Sequence, residues 1–112
     1  MKNLVGFVTL VTFGLGFSST FASTANAVIE RILIVDNPTL VYVYPVGGLS
    51  GAPGCAANTG YFSFSMTRPL AREYLALLMS AHAQHLPVSF WGKGVCQDQT
   101  YSETLDYLRV EP

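Results

Sequence analysis

His82 and His85 stand three residues apart in a run of strong helix formers, a spacing that can offer two metal ligands on one face. No third or fourth ligand accompanies them. Near a helix C-terminus a histidine can instead hydrogen-bond the free carbonyls, and with both in the apolar arc of the helix this is the expected role. Ser63, Ser65 and Ser89 fall in strand-like segments with neither a G-x-S-x-G turn nor an identifiable Asp–His pair beside them. Asp98, Glu103 and Asp106 could form the carboxylate pair of a glycoside-cleaving site, but in this polar context they are expected to solvate a loop and an edge strand. These residues predict no catalytic centre, no metal site and no cofactor. The expected protein is not an enzyme.

Cys55 and Cys96 carry the other reactive groups. Without C-x-x-C spacing, and in an oxidising compartment, an even count reads as a disulfide. Closing a loop of that span contributes about 4 kcal/mol in the chain-entropy account. The compartment follows from the N-terminus. Met1-Lys2-Asn3, an apolar run over residues 4–17 and a small polar segment ending in Ala25-Asn26-Ala27 have the layout of a secretory signal peptide. The apolar run is too short to span a bilayer, and no basic stop-transfer cluster follows it. The expectation is a leader over residues 1–27, cleaved after Ala27, and a single domain over 28–112, periplasmic or secreted.

Charge narrows the partners. Six Lys and Arg against seven Asp and Glu give a formal net charge of −1 over 112 residues, with no basic cluster. Nothing here could neutralise a run of phosphates, which argues against nucleic acid, and no membrane insertion is expected once the leader is gone.

The elements that must position these residues follow from periodicity. Residues 28–35 (VIERILIV) and 39–46 (TLVYVYPV) read as strands divided by the turn signal Asp36-Asn37-Pro38. A glycine-rich loop, GGLSGAPGCAANTG, leads to a third strand over 61–66, in which Phe62, Phe64 and Met66 oppose Tyr61, Ser63 and Ser65. A helix follows, with Thr67 expected as its N-cap and Leu70, Ala71, Tyr74, Leu75, Leu77, Leu78 and Ala81 on its inner arc. Pro87 ends it. A fourth strand covers 88–92, with Val88 and Phe90 opposite Ser89 and Trp91, and a last strand lies around 105–110. The order β-β-β-α-β-β predicts an α+β, mainly β fold: a five-stranded OB-like barrel with one disulfide. In that barrel the fifth strand runs parallel to the third and antiparallel to the fourth, which brings Cys55 and Cys96 to one end. An open sheet under one helix is the alternative.

The segments YFSFSM, EYLALL, VSFWG, C-x-D-Q and SETL resemble those of small secreted proteins of Gram-negative bacteria. From Ser65-Met66 through the helix to the strand after Leu86-Pro87, the chain also distantly resembles the receptor-binding B subunits of subtilase-cytotoxin and pertussis-like toxins. Those subunits are OB-folds that assemble as rings and bind glycans; for this chain the resemblance implies the fold and a binding role.

Two surfaces are candidates. Tyr42, Tyr44, Tyr61, Ser63, Ser65, Ser89 and Trp91 alternate away from the apolar positions, and as an outward aromatic and hydroxyl face they would suit a glycan or a protein, with the loop 49–55 adjoining; the alternative is that several of them lie in the barrel interior or under the N-terminal strand. Ala76, Ser80 and Ala83 form a stripe of small residues on the outer helix face, where a homo-oligomer could pack closely, although alanine is also simply the best helix former. The expected function is a secreted, non-catalytic module that binds a glycan or protein. The alternative is a periplasmic structural or assembly protein acting through homo-oligomerisation.

Overall fold

The computed structural model describes residues 22–36 and 38–111. Most of the expected leader therefore lies outside the described residues. The chain forms β1 (Thr24–Ala27), β2 (Ile29–Val35), β3 (Leu40–Pro45), β4 (Asn58–Ser65), α1 (Ala71–Gln84), β5 (Val88–Gly92) and β6 (Ser102–Val110). The strands make one curled sheet in the order β1-β5-β6-β4-β3-β2, mainly antiparallel, with β4 and β6 parallel.

Among the described residues there are six strands, where the sequence predicts five. The additional one is β1, whose residues fall within the expected leader. Only Val28 separates it from β2, yet β1 pairs with β5 while β2 pairs with β3. One bent stretch thus serves both ends of the sheet. On the other side of β1, Thr24 and Ser50 exchange backbone hydrogen bonds at 3.1 and 3.0 Å, and the Val46 N–H donates to the Val28 carbonyl at 3.0 Å.

The core lies inside the curl. Val41, Val43, Phe62, Phe64, Val88, Phe90 and Leu105 point inward from four strands and are fully buried. The Phe62 and Phe90 rings stack at 5.6 Å, and the edge of one ring meets the face of the other where Phe64 packs on Tyr74. This is the alternation read from the sequence, with Phe62 and Phe64 at its centre.

The helix departs from expectation at both ends. It begins at Ala71 after a turn, and Leu70, at the N-cap position, makes no side-chain cap. Thr67, expected there, instead bonds back to the Ser65 hydroxyl through its own hydroxyl and its N–H at 2.8 and 3.1 Å. Such local side-chain bonds favour a turn over the first helical residue. The inner face is narrower than the arc inferred from the sequence: Ala71, Leu78 and Ala81 are buried, whereas Leu70 and Leu77 stand 55% and 48% exposed. His85 closes the helix at φ 55°, and its N–H and that of Leu86 reach back to the carbonyls of His82 and Ala81.

Arg68 and Tyr74 hold the turn and helix to β6. Arg68 donates to the carbonyls of Leu105 and Asp106, and the Tyr74 hydroxyl donates to the Asp106 carbonyl at 2.9 Å. These carbonyls lie where the β5–β6 register shifts, between Trp91–Tyr107 and Gly92–Leu105, so side chains satisfy groups that the ladder leaves free. Cys55 and Cys96 are joined, with Cα atoms 6.1 Å apart, and tie the loop before β4 to the loop after β5.

Candidate surface cleft

The convex side of β2, β3 and β4 carries a tyrosine cluster. Tyr61 stacks on Tyr42 at 4.6 Å and meets Tyr44 at 5.0 Å, and Tyr44 in turn lies under the Arg31 guanidinium at 4.1 Å. The register sets this up, because Tyr44 faces Arg31 and Tyr42 faces Leu33 across the β2–β3 ladder. Above β4 runs the segment from Cys96 to β6, which covers part of this face.

Gln99 is the centre of that cover. Its side-chain oxygen accepts from the Tyr61 hydroxyl at 2.8 Å and from the Ser102 hydroxyl, while its amide nitrogen donates to the Tyr42 hydroxyl. Ser63 and Ser102 share a hydrogen bond of 2.7 Å. Asp98 accepts from the Ser65 N–H at 2.8 Å, and the Thr104 hydroxyl accepts from the N–H groups of Gln97 and Asp98 at 2.7 and 3.0 Å. Every turn of the segment is tied to a strand beneath. Burial pushes the Tyr61 phenol above its ordinary value, outweighing a smaller downward pull from the Ser102 hydroxyl; the neighbouring tyrosines Tyr42, Tyr101 and Tyr44 add to the rise.

Two of the residues expected on an outward surface are therefore interior. Tyr61 is 7% exposed and Ser63 is fully buried. The alternation was right, but a sheet face is outward only where nothing crosses it, and here the segment around Gln99 does. Tyr42, Tyr44 and Ser65 remain partly exposed beside it. Ser89 and Trp91 sit apart from this cluster, on β5. Ser89 accepts from the Asn26 side-chain amide at 3.1 Å, and Trp91 stacks on Tyr107 at 4.6 Å with Arg109 over its ring at 5.5 Å. The expected single surface is two.

Between the covering segment and the first hairpin opens a cleft of about 450 Å³, lined by Val35, Pro38, Leu40, Tyr42 and by Asp98, Gln99, Thr100 and Tyr101. Apolar strand residues form its floor. A carboxylate, an amide, a hydroxyl and the 48% exposed Tyr101 form the opposite wall. In the sequence, residues 98–101 are only part of a polar stretch after Cys96, and the loop 49–55, expected to adjoin the binding face, does not line this cleft.

The remaining candidates separate. His82 Nδ1 lies 3.2 Å from the Ile29 carbonyl oxygen, while His85 is exposed rather than in the inner arc. Among the described residues no group of three His, Cys, Asp or Glu side chains is placed to hold a metal ion. Glu103 does not solvate an edge strand. It is fully buried, and the signal was its phase, since it shares the inward face of Leu105. Ala76, Ser80 and Ala83 are exposed on α1, with Gln84 donating to the Ser80 hydroxyl at 2.9 Å.

No helix among the described residues is long and apolar enough to cross a membrane. No protein-family model, curated protein or solved structure matches the chain.

Proposed function

We propose that the protein is a secreted, non-catalytic binding module built as an OB-like barrel, and that it takes a glycan in the cleft walled by Tyr42, Asp98, Gln99 and Tyr101. The parallel pairing of β4 with β6, and the single bent stretch that pairs at both ends of the sheet, support the barrel reading. In such barrels the ligand face is the second and third strands, between the first hairpin loop and the loop before the last strand. The cleft occupies that position here, between Pro38 and residues 98–101 over β3. This placement carries the proposal. The wall chemistry agrees with it, because a tyrosine ring presents a flat apolar face to a sugar while the Asp98 carboxylate and the exposed Thr100 hydroxyl suit its hydroxyls.

A glycan array probed with the exported protein tests this. Binding is expected, weakened at least tenfold by Tyr101→Ala and unchanged by Trp91→Ala, whose side chain lies on the other surface. Loss with Trp91→Ala alone would move the site to β5 and β6, and no glycan bound at all would remove the proposal.

The second reading, assembly through homo-oligomerisation, draws on the outer helix surface, where Leu77 and Met79 are exposed beside the stripe of Ala76, Ser80 and Ala83. Light scattering at micromolar concentrations separates the two, since a monomer throughout would remove this one.

A further inference from the structure

Glu103 is a charged side chain with no exposed surface, and among the described residues it has no cationic partner. An uncompensated buried carboxylate is costly. Its hydrogen bonds come from two places. Oε2 accepts from the Ser23 N–H at 3.0 Å and the Gly94 N–H at 2.8 Å, and Oε1 accepts from the Ser23 hydroxyl. Ser23 is itself fully buried, and its carbonyl accepts from the Gly92 N–H at 2.9 Å. Gly92 leaves the room for this, because a Cβ there would overlap the Glu103 carboxylate.

Ser23 and β1 thus belong to the fold, and a cut after Ala27 would remove them. It would strip the four-residue pairing of β1 with β5, the Thr24–Ser50 bridge and both Ser23 donors, leaving Glu103 Oε1 without its bond. The sequence offers a second site with small residues at the two positions a signal peptidase reads, Thr20 and Ala22, just before Ser23.

We propose that the leader is removed between Ala22 and Ser23, and that the new N-terminus of Ser23 is the cation that neutralises buried Glu103. Water adds across the Ala22–Ser23 amide. The C–N bond breaks, the released segment ends in the Ala22 carboxylate, and Ser23 keeps the amine, which takes up a proton. The nitrogen that donates one amide N–H to Glu103 then becomes an ammonium with three donors. Processing and folding are coupled in this arrangement: the ion pair exists only after the cut, so the mature domain is more stable than its precursor. The inference rests on the leader reading and is independent of any ligand.

The experiment begins with export of the full chain in a bacterial host, followed by N-terminal sequencing and intact-mass measurement of the product. A start at Ser23 is expected. A start at Val28 or elsewhere, or an uncut chain, overturns the proposal. The pairing is tested on the same product with a limiting amine-acylating reagent near neutral pH. Lys93, exposed and the sole lysine beyond Lys2, is the internal reference. An unpaired α-amine has the lower pKa and acylates faster than a lysine. An opposite charge in contact favours the protonated form by one or more pKa units, so the Ser23 amine is expected to react about tenfold more slowly in the folded protein than in urea, relative to Lys93. Equal relative reactivity in the two states overturns the ion pair. Glu103→Gln should restore reactivity without unfolding; if that variant does not fold, the pH dependence of acylation in the wild type decides, because pairing moves the midpoint of the buried Ser23 amine above its value in urea whereas burial alone moves it below.

Discussion

Gln99 is where the covering segment is held, and its three side-chain bonds make it the residue whose loss is felt most at the cleft. Replacing it with alanine leaves the buried Tyr61 and Ser102 hydroxyls without their acceptor, and an unsatisfied buried polar group costs about 1–3 kcal/mol. Urea unfolding of Gln99→Ala should show a loss in that range. Tyr61 adds a pH dependence. Its pKa is raised above the ordinary 10.0, so folding favours the neutral phenol. The contribution is fully present below pH 10, where both states hold the proton. It is lost as the pH rises through the folded-state value, because the unfolded chain ionises first. Wild-type stability should therefore decline on the alkaline side of pH 10, and Tyr61→Phe should flatten that limb while lowering the neutral plateau. An alkaline limb unchanged by the substitution would mean that another group titrates there. Gly92→Ala belongs to the same scale: with its Cβ directed at the Glu103 carboxylate it should cost about 1–3 kcal/mol by overpacking, read from the shift in urea midpoint.

At the scale of elements, the helix separates what periodicity can specify from what it cannot. Leu77 and Leu78 are adjacent and chemically identical, and both fit a broad apolar arc. Only Leu78 is buried. Leu78→Ala should cost about 2–5 kcal/mol, whereas Leu77→Ala should stay within about 0.5 kcal/mol, and equal losses in thermal or urea unfolding would contradict the packing described. The strands show the same division. Val88 and Phe90, like Phe62 and Phe64, announce the core by alternation, since a residue skipped in register would turn every one of them outward. The same pattern could not reveal that Tyr61 and Ser63 are covered, because their cover is a segment some forty residues away with no periodicity of its own. Residues 24–27 read as the end of a leader, for a different reason. Small residues such as Ala25 and Ala27 suit a peptidase and a closely packed strand equally, and four residues carry too little periodicity to reveal the pairing with β5.

For the molecule as a whole, the disulfide joins the two parts that a short chain finds hardest to hold, a long glycine-rich loop and the loop that builds the cleft wall. Cys96 lies two residues before Asp98, so the bridge to Cys55 fixes one end of the segment that Gln99 fixes in the middle. The loop it closes has a sequence separation of 41, and removing the constraint from the unfolded chain is worth about 4 kcal/mol in the chain-entropy account. A small domain holds only some 5–15 kcal/mol in total, so that contribution is a large share. The double variant Cys55→Ser, Cys96→Ser should accordingly lose about 4 kcal/mol in urea unfolding. Local effects should be uneven. Hydrogen exchange at residues 97–101 should quicken more than the global loss explains, because the segment gives up the anchor at its start, whereas exchange in β3 and β4 should follow the global stability alone. Uniform acceleration across the chain would show that the bridge acts only on the unfolded state and that the cleft wall is held by Gln99 and its neighbours without it.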